Sequence, residues 1–92
     1  MDTKLPNNQH FNKLYVKHCM HLKLAGYQPK TIEAYARAIR RIGNYFNCEL
    51  ENLTTDQLLE YFHDLVQSHS WNTVKLDLYG LQFFYTHVLK KT

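Results

Sequence analysis

The clearest helical pattern in the chain is PKTIEAYARAIRRIGNYF, residues 29–46. Its apolar residues recur every three to four positions, which is the period of a helix with one buried face. Pro29 suits the first helical position because the N–H group that proline lacks has no partner within the helix there. The sequence therefore predicts a helix over about 29–46. Its predicted core stripe comprises Ile32, Ala36, Ile39, Gly43 and Phe46, with Tyr35 and Ile42 at the margin.

Three further segments share this period, and the four predicted helices cover about 9–25, 29–46, 54–68 and 71–89. Gly26 favours a stop after the first, because glycine readily adopts the left-handed conformation that closes a helix. Thr54 and Gln57 have the spacing of a capping box at the start of the third. With only three glycines and two prolines in 92 residues, strands have little support, and the chain is predicted to be all-α.

The same periodicity assigns buried faces to the other helices. On the first helix His18 is expected at the edge of the core. The fourth has apolar residues on two sides, which favours a central position. The predicted core positions of the first helix are Phe11, Leu14, Tyr15, His18 and Leu22, and those of the third are Leu58, Leu59, Phe62, Leu65 and Val66.

Length and composition exclude several classes of protein. Ninety-two residues leave room for one domain, and 45% apolar with 21% charged residues is near the average for a globular chain. No run of 18 apolar residues and no signal-peptide pattern occurs, so neither a membrane span nor secretion is expected. Cys19 and Cys48 form no C-x-x-C pair, which favours reduced thiols and a cytoplasmic location. Residues 1–8 are predicted to be a flexible arm.

The charges are distributed unevenly. Residues 1–48 carry eight Lys and Arg against two acids, whereas residues 49–92 carry three against six. Such a distribution indicates either a surface that attracts polyanions at one end or an ordinary mixed, solvated surface.

No catalytic or cofactor site is found. His18 and His21 lie one turn apart, which is a weak indication of a metal, but no Cys and His set has the spacing of a zinc site. The sequence contains no nucleophile motif and no glycine-rich phosphate loop. We therefore expect no cofactor, no metal and no catalytic residue in this chain.

The second predicted helix has a cationic ridge. Lys30, Arg37 and Arg41 fall about 140–180° around the helix from Ile32, opposite the core stripe and with no acid among them. Ala34 and Ala38 are small enough to let a partner approach the backbone. The N–H groups at the start of the helix, together with its positive dipole end, suit a phosphate.

The fourth predicted helix has a polar strip beside this ridge. Asn and Gln side chains can hydrogen-bond adenine edges, and Lys can contact guanine or phosphate. The strip is therefore either a base-reading surface or the exposed face of an ordinary surface helix. Its residues are Asn72, Lys75, Tyr79, Gln82 and Thr86.

The run LAGYQPKTIEAYARAIRR, residues 24–41, resembles the segment G-x-S-x-x-T-x-x-x-Y near the N-terminus of tyrosine recombinases, also called phage integrases. The likeness continues through Leu53-Thr54, the third predicted helix, and Ser70-x-x-Thr73-Val74. It implies a compact four-helix, SAM-like orthogonal bundle over residues 9–90. This would be the core-binding domain, and the catalytic domain of the family is expected to be absent from this chain.

The resemblance implies a clamp on one face of duplex DNA, with the second and fourth helices toward the major groove. Gln28, Gly80 and Gln82 depart from the family pattern, which commonly has Ser, Ala and Arg there. No histidine is followed three residues later by Arg, as the strand-cleaving cluster of the family requires. The DNA-binding residues implied are Lys30, Thr31, Tyr35, Arg37, Arg41, Asn72, Thr73, Lys75, Tyr79 and Gln82.

The function expected from the sequence is therefore DNA binding at a recombination site, without catalysis by this chain. The expected partners are double-stranded DNA and, in the full-length recombinase, other protomers of a synaptic tetramer. The alternative is a helical protein–protein adaptor that uses Trp71, Phe83 or Tyr45 as an exposed anchor.

Overall fold

The computed structural model describes residues 8–90, and within that range the chain forms α-helices and one π-helical segment but no strand. The prediction of an all-α fold is confirmed. Of the predicted flexible arm, residues 1–7 lie outside the described part of the chain, and Asn8 caps the first helix. The elements are α1 (Gln9–Leu24), α2 (Pro29–Tyr45), α3 (Thr55–Ser68), α4 (Trp71–Phe83) and the π-helical segment Phe84–Val88.

Local hydrogen bonds explain where the helices begin. The Asn8 side chain accepts from the backbone N–H of Phe11 in α1, and the Ser70 hydroxyl accepts from that of Thr73 in α4. Thr54 and Gln57 form the predicted capping box of α3. After α1, Gly26 has a φ of 83°, a conformation that favours glycine, and it turns the chain toward α2.

The C-terminal helix differs from the prediction of one helix over about 71–89. It is α-helical only to Phe83 and then continues as a π-helical segment, in which the N–H of Leu89 donates to the carbonyl of Phe84 at 3.1 Å. A π turn contains an extra residue, so the adjacent Phe83 and Phe84 are both buried. Apolar periodicity does not distinguish this winding from a regular helix, because both sides of the segment are apolar.

One core joins all the elements. α2 and α4 make the most extensive helix–helix contact, α1 packs on α2 and on the π-helical segment, and α3 packs on α4. Burial of these side chains supplies the main free energy of folding, about 1.5–3 kcal/mol for each large apolar side chain. The core cluster comprises Phe11, Ile39, Ile42, Leu50, Tyr61, Leu65, Val74, Leu81 and Phe84.

The buried face of α2 is wider than predicted. Ala38, which was expected on the open cationic side, is fully buried, and so is Ile42. The reason is that α4 lies across this side of α2, so a position outside the main stripe is covered by a neighbouring helix.

Two other burial predictions are wrong. On α3, Leu59 is 68% exposed and Val66 is also exposed, whereas Tyr61 is buried. The core face of α3 therefore keeps Leu58, Phe62 and Leu65 but shifts toward Tyr61, whose hydroxyl donates to Asp77. On α1, His18 is fully buried instead of lying at the edge of the core.

Candidate nucleic-acid interface

A close contact between α2 and α4 positions the candidate site. A Cβ atom at Gly80 would lie 3.1 Å from the Cβ of Ala38 and 3.3 Å from the backbone of Tyr35. Only a residue without a side chain fits at this crossing without displacing a neighbour. The crossing brings the C-terminal end of α4, with Tyr79 and Gln82, beside Tyr35 in the N-terminal half of α2.

The polar strip of α4 is exposed as predicted. Asn72, Lys75, Tyr79, Gln82 and Thr86 all face solvent. Thr73, another predicted contact, is only half-exposed, and its hydroxyl lies 3.3 Å from that of Ser70 in the cap. The strip therefore presents amide, hydroxyl and ammonium groups along one side of α4, with Thr73 at its inner edge.

The start of α2 is the end of the helix that was predicted to suit a phosphate. Lys30 is exposed and Thr31 is half-exposed, and the first turn contains no acidic residue. Gln28 occupies the N-cap without a side-chain cap hydrogen bond, unlike the caps of α1, α3 and α4. The N–H groups of this first turn, at the positive end of the helix dipole, therefore have no capping acceptor from the Gln28 side chain.

Arg41 does not lie on an open ridge. Its Nη1 atom donates to both carboxylate oxygens of Asp77 on α4, at 2.6 and 2.7 Å, and the Arg41 side chain is only 20% exposed. The buried Tyr61 hydroxyl donates to the same carboxylate at 2.8 Å. Burial and the neighbouring Asp77 charge raise the pKa of Tyr61, so this hydroxyl stays protonated. The network joins α2, α3 and α4.

The other arginines of α2 are also engaged. Arg37 donates to Glu33 at 2.9 Å, one turn earlier on the same helix, and Arg40 donates to the hydroxyl of Tyr15 on α1. The prediction of an open cationic ridge is therefore wrong for Arg37 and Arg41, which pair with Glu33 and Asp77. α2 carries its accessible positive charge mainly at its N-terminal end, because Glu33 and Asp77 pair with two of its arginines and the Tyr15 hydroxyl accepts from the third.

Tyrosines form a cleft between α4 and the start of α2. Three predicted site residues, Tyr35, Tyr79 and Gln82, meet there in a cavity of about 270 Å³. The other lining residues are Tyr27, Phe83 and Thr86. Tyr27 was missed as a site residue because it lies between two helices, where periodicity carries no information. The one feature of the sequence that could have indicated Tyr27 is its position as an aromatic residue directly after Gly26, which ends the first helix.

His18 supports the backbone below this cleft. Its Nε2 atom donates to the carbonyl oxygen of Tyr35 at 3.1 Å, and its ring packs edge-on against Phe83 and Phe84. Burial is the main cause that lowers the pKa of His18 to about 4, and the buried Nδ1 atom has no hydrogen-bond partner. The neutral imidazole therefore fixes α1 to α2 at the position of Tyr35.

An apolar groove lies on the other side of α4, against α3. Its volume is about 390 Å³, and Trp71 at its edge is 65% exposed. Among the proposed adaptor anchors, Phe83 is buried, and the exposed Tyr45 donates its hydroxyl to Asp64. Trp71 alone of the three is open on this face. The groove is lined by Leu59, Phe62, His63, Val66, Trp71, Val74, Lys75 and Leu78.

Residues 8–90 contain neither a metal-binding cluster nor a membrane-spanning helix. No group of three or more His, Cys, Asp or Glu side chains in that range is arranged to hold a metal ion. In the same range, every helix is too short or too polar to cross a bilayer.

Comparison with protein families gives a match over most of the chain. The family model described as phage integrase, N-terminal SAM-like domain, matches residues 14–92. Comparison with curated proteins and with solved structures gave no match.

Proposed function

Because the chain belongs to the family of phage integrase N-terminal SAM-like domains, we propose that it binds duplex DNA as the core-binding domain of a site-specific tyrosine recombinase. The observation that carries this proposal is that Tyr79 and Gln82, at the C-terminal end of the exposed α4 strip, lie beside Tyr35 in the N-terminal half of α2. α2 and α4 then face the major groove together, with phosphates at the start of α2 and base edges along α4.

The residues divide into three roles. Lys30 and Thr31 contact phosphate, because they lie at the positive end of α2. Lys75 contributes a charge, while the amides of Asn72 and Gln82 read base edges. Tyr35 and Tyr79 lie beside Gln82 in the cleft and contact the backbone of the DNA, and Thr73 contributes from the inner edge of the strip.

The arginines take different roles. Arg37 exchanges Glu33 for a DNA phosphate, since its ion pair is partly exposed and weak. Arg41 acts by holding α4 against α2 through Asp77.

The wider role follows from the family. The domain would grip one face of DNA at a recombination site during integration or recombination, in the nucleoid of a bacterial cell. Strand cleavage would belong to a catalytic domain of the same recombinase, and other protomers would join it in a synaptic tetramer.

Fluorescence anisotropy with labelled duplexes tests the DNA-binding role. Affinity is expected to fall with salt, with a slope of log K against log salt near −0.9 for each phosphate neutralised. Lys30→Ala should weaken binding and reduce the slope by about 0.9. The matched control is Lys13→Ala, on the exposed face of α1, which should leave both unchanged. Equal effects of the two substitutions, or no binding at low salt, would contradict the proposal.

The groove between α3 and α4 favours a second candidate function, a protein–protein adaptor. It places the exposed Trp71 beside Leu59 and Val66, and contiguous exposed apolar surface is typical of docking sites. Chemical-shift mapping with duplex DNA separates the two functions. DNA binding predicts shifts from Lys30 to Arg41 and along the α4 strip, whereas an adaptor predicts none there.

A further inference from the structure

The seven tyrosines of the chain fall into two groups. The hydroxyls of four have a protein partner: Tyr15 accepts from Arg40, and the remaining three donate to Asp64, Asp77 and the Leu50 carbonyl. The hydroxyls of the other three have no hydrogen-bond partner within residues 8–90. The partnered tyrosines are Tyr15, Tyr45, Tyr61 and Tyr85, and the unpartnered ones are Tyr27, Tyr35 and Tyr79.

The three unpartnered tyrosines all line the cleft between α4 and the start of α2. Burial raises the pKa of Tyr35, and the neighbouring hydroxyls of Tyr27 and Tyr79 add to this effect. Tyr27 and Tyr79 are exposed and Tyr35 is half-buried, so solvent reaches the cleft. Three hydroxyls that no protein group engages therefore line one cleft and are available to donate to the acceptor oxygens of a ligand.

Ring packing holds the cleft in shape. The Tyr27 ring lies edge-on to Tyr35 and to Phe83, with centroids 5.6 and 5.8 Å apart. Because His18 bonds the Tyr35 carbonyl from below, the backbone under the cleft is also fixed. The cleft is therefore preformed, and a ligand does not have to order it.

The chemistry of the lining selects an acceptor. Each tyrosine hydroxyl can donate one hydrogen bond, and no acidic side chain lines the cleft. A phosphodiester offers several acceptor oxygens and no donor. A stacked base fits less well, because the Tyr27 ring already packs against Tyr35 and Phe83.

We propose that the tyrosine cleft, formed by Tyr27, Tyr35 and Tyr79, seats a phosphodiester of the DNA backbone through uncharged hydroxyl donors. The inference rests on the proposed DNA-binding function. It assigns a role to Tyr27 and separates two sources of affinity. Lysines displace counterions when they bind phosphate, whereas neutral hydroxyls displace none, so their contribution does not depend on salt.

The test compares Tyr→Phe variants at these three positions, singly and together, by anisotropy at several salt concentrations. Phenylalanine keeps the ring packing and removes only the oxygen. Each lost hydroxyl is expected to weaken binding about three- to tenfold for all duplexes, while the salt slope stays unchanged. Tyr45→Phe is the matched control, because Tyr45 is an exposed tyrosine outside the cleft and should leave affinity unaltered.

Duplexes with one neutral methylphosphonate linkage locate the contact. When the methylphosphonate replaces the linkage that occupies the cleft, the natural protein should bind the modified duplex more weakly than the unmodified one. The triple Tyr→Phe variant should bind that modified duplex as well as the natural protein does, because the contact is already lost.

The outcomes distinguish this inference from the function on which it rests. If the natural protein binds duplex but the triple variant binds equally well, the tyrosine cleft proposal is overturned and DNA binding stands. If the Tyr→Phe variants lose affinity only for duplexes of particular base sequence, the tyrosines read bases and the phosphodiester proposal is overturned. If the natural protein binds no duplex at low salt, both proposals are overturned.

Discussion

Arg41 on α2 and Asp77 on α4 form a nearly buried ion pair, 36 residues apart in sequence, in which one guanidinium nitrogen donates to both carboxylate oxygens. Tyr61 completes the carboxylate's hydrogen bonding from α3. Charges in such a position are costly unless paired, so the pair constrains how the helices sit together more than it stabilises them.

We predict that Asp77→Ala lowers the free energy of unfolding by about 3–5 kcal/mol, because it leaves a mostly buried guanidinium and the Tyr61 hydroxyl without their acceptor. Urea unfolding followed by circular dichroism measures this. Glu33→Gln is the control, since it breaks an exposed pair and should cost less than about 1 kcal/mol. The double variant Arg41→Met/Asp77→Leu should recover much of the loss. A small effect of Asp77→Ala would show that the pair is dispensable.

Stability should fall in mild acid through His18. Its pKa is about 4 in the folded chain against an ordinary value of 6.5, so the unfolded chain binds a proton first. The stability that the depressed pKa of His18 contributes is complete above pH 6.5 and is lost as the pH falls toward 4. Between pH 7 and pH 5 the loss is about 2 kcal/mol. Urea unfolding at the two pH values should show that His18→Gln removes this part of the pH dependence. An unchanged dependence in that variant would assign it to other groups.

Gly43 on α2 leaves room for a core ring. A Cβ atom there would lie 2.5 Å from the Cζ of Phe11, which is fully buried. Gly43→Ala should therefore destabilise the fold by about 1–2 kcal/mol, because overpacking outweighs a gain of about 1 kcal/mol in helix propensity. Phe11→Leu should relieve the clash. If the clash is the cause, the double variant should lose less free energy of unfolding than the sum of the losses of the two single variants. Urea unfolding measures these losses.

Lys75 and Gln82 on the α4 strip should affect DNA binding in different ways. Lys75→Ala is expected to weaken binding to all duplexes and to reduce the salt slope by about 0.9. Gln82→Ala should instead change which duplexes are preferred, by about 1–3 kcal/mol at the position that Gln82 reads. A panel of duplexes titrated at two salt concentrations measures both. Identical behaviour of the two variants would remove the assigned roles.

Much of the fold could be predicted because the relevant signals are local. Thr54 and Gln57 cap α3 across three residues, Pro29 begins α2, and Gly26 ends the turn after α1. Exposure of Lys30 and of the α4 strip also followed from helical period. On α3 the helical period predicted burial of Leu59, whereas Tyr61 is buried instead. Both residues are on apolar sides of the helix, and only the position of the neighbouring helix decides which side is covered.

By itself, the sequence determined an all-α chain, the points at which its helices begin, and a likeness to one family, since each depends on residues a few positions apart. The tertiary structure decided how α2 crosses α4. At that crossing Gly80 meets Ala38, Arg41 turns from solvent to Asp77, and Tyr27 joins Tyr35 and Tyr79. These relationships connect residues far apart in the chain, and their free energies depend on helix packing that no local pattern encodes.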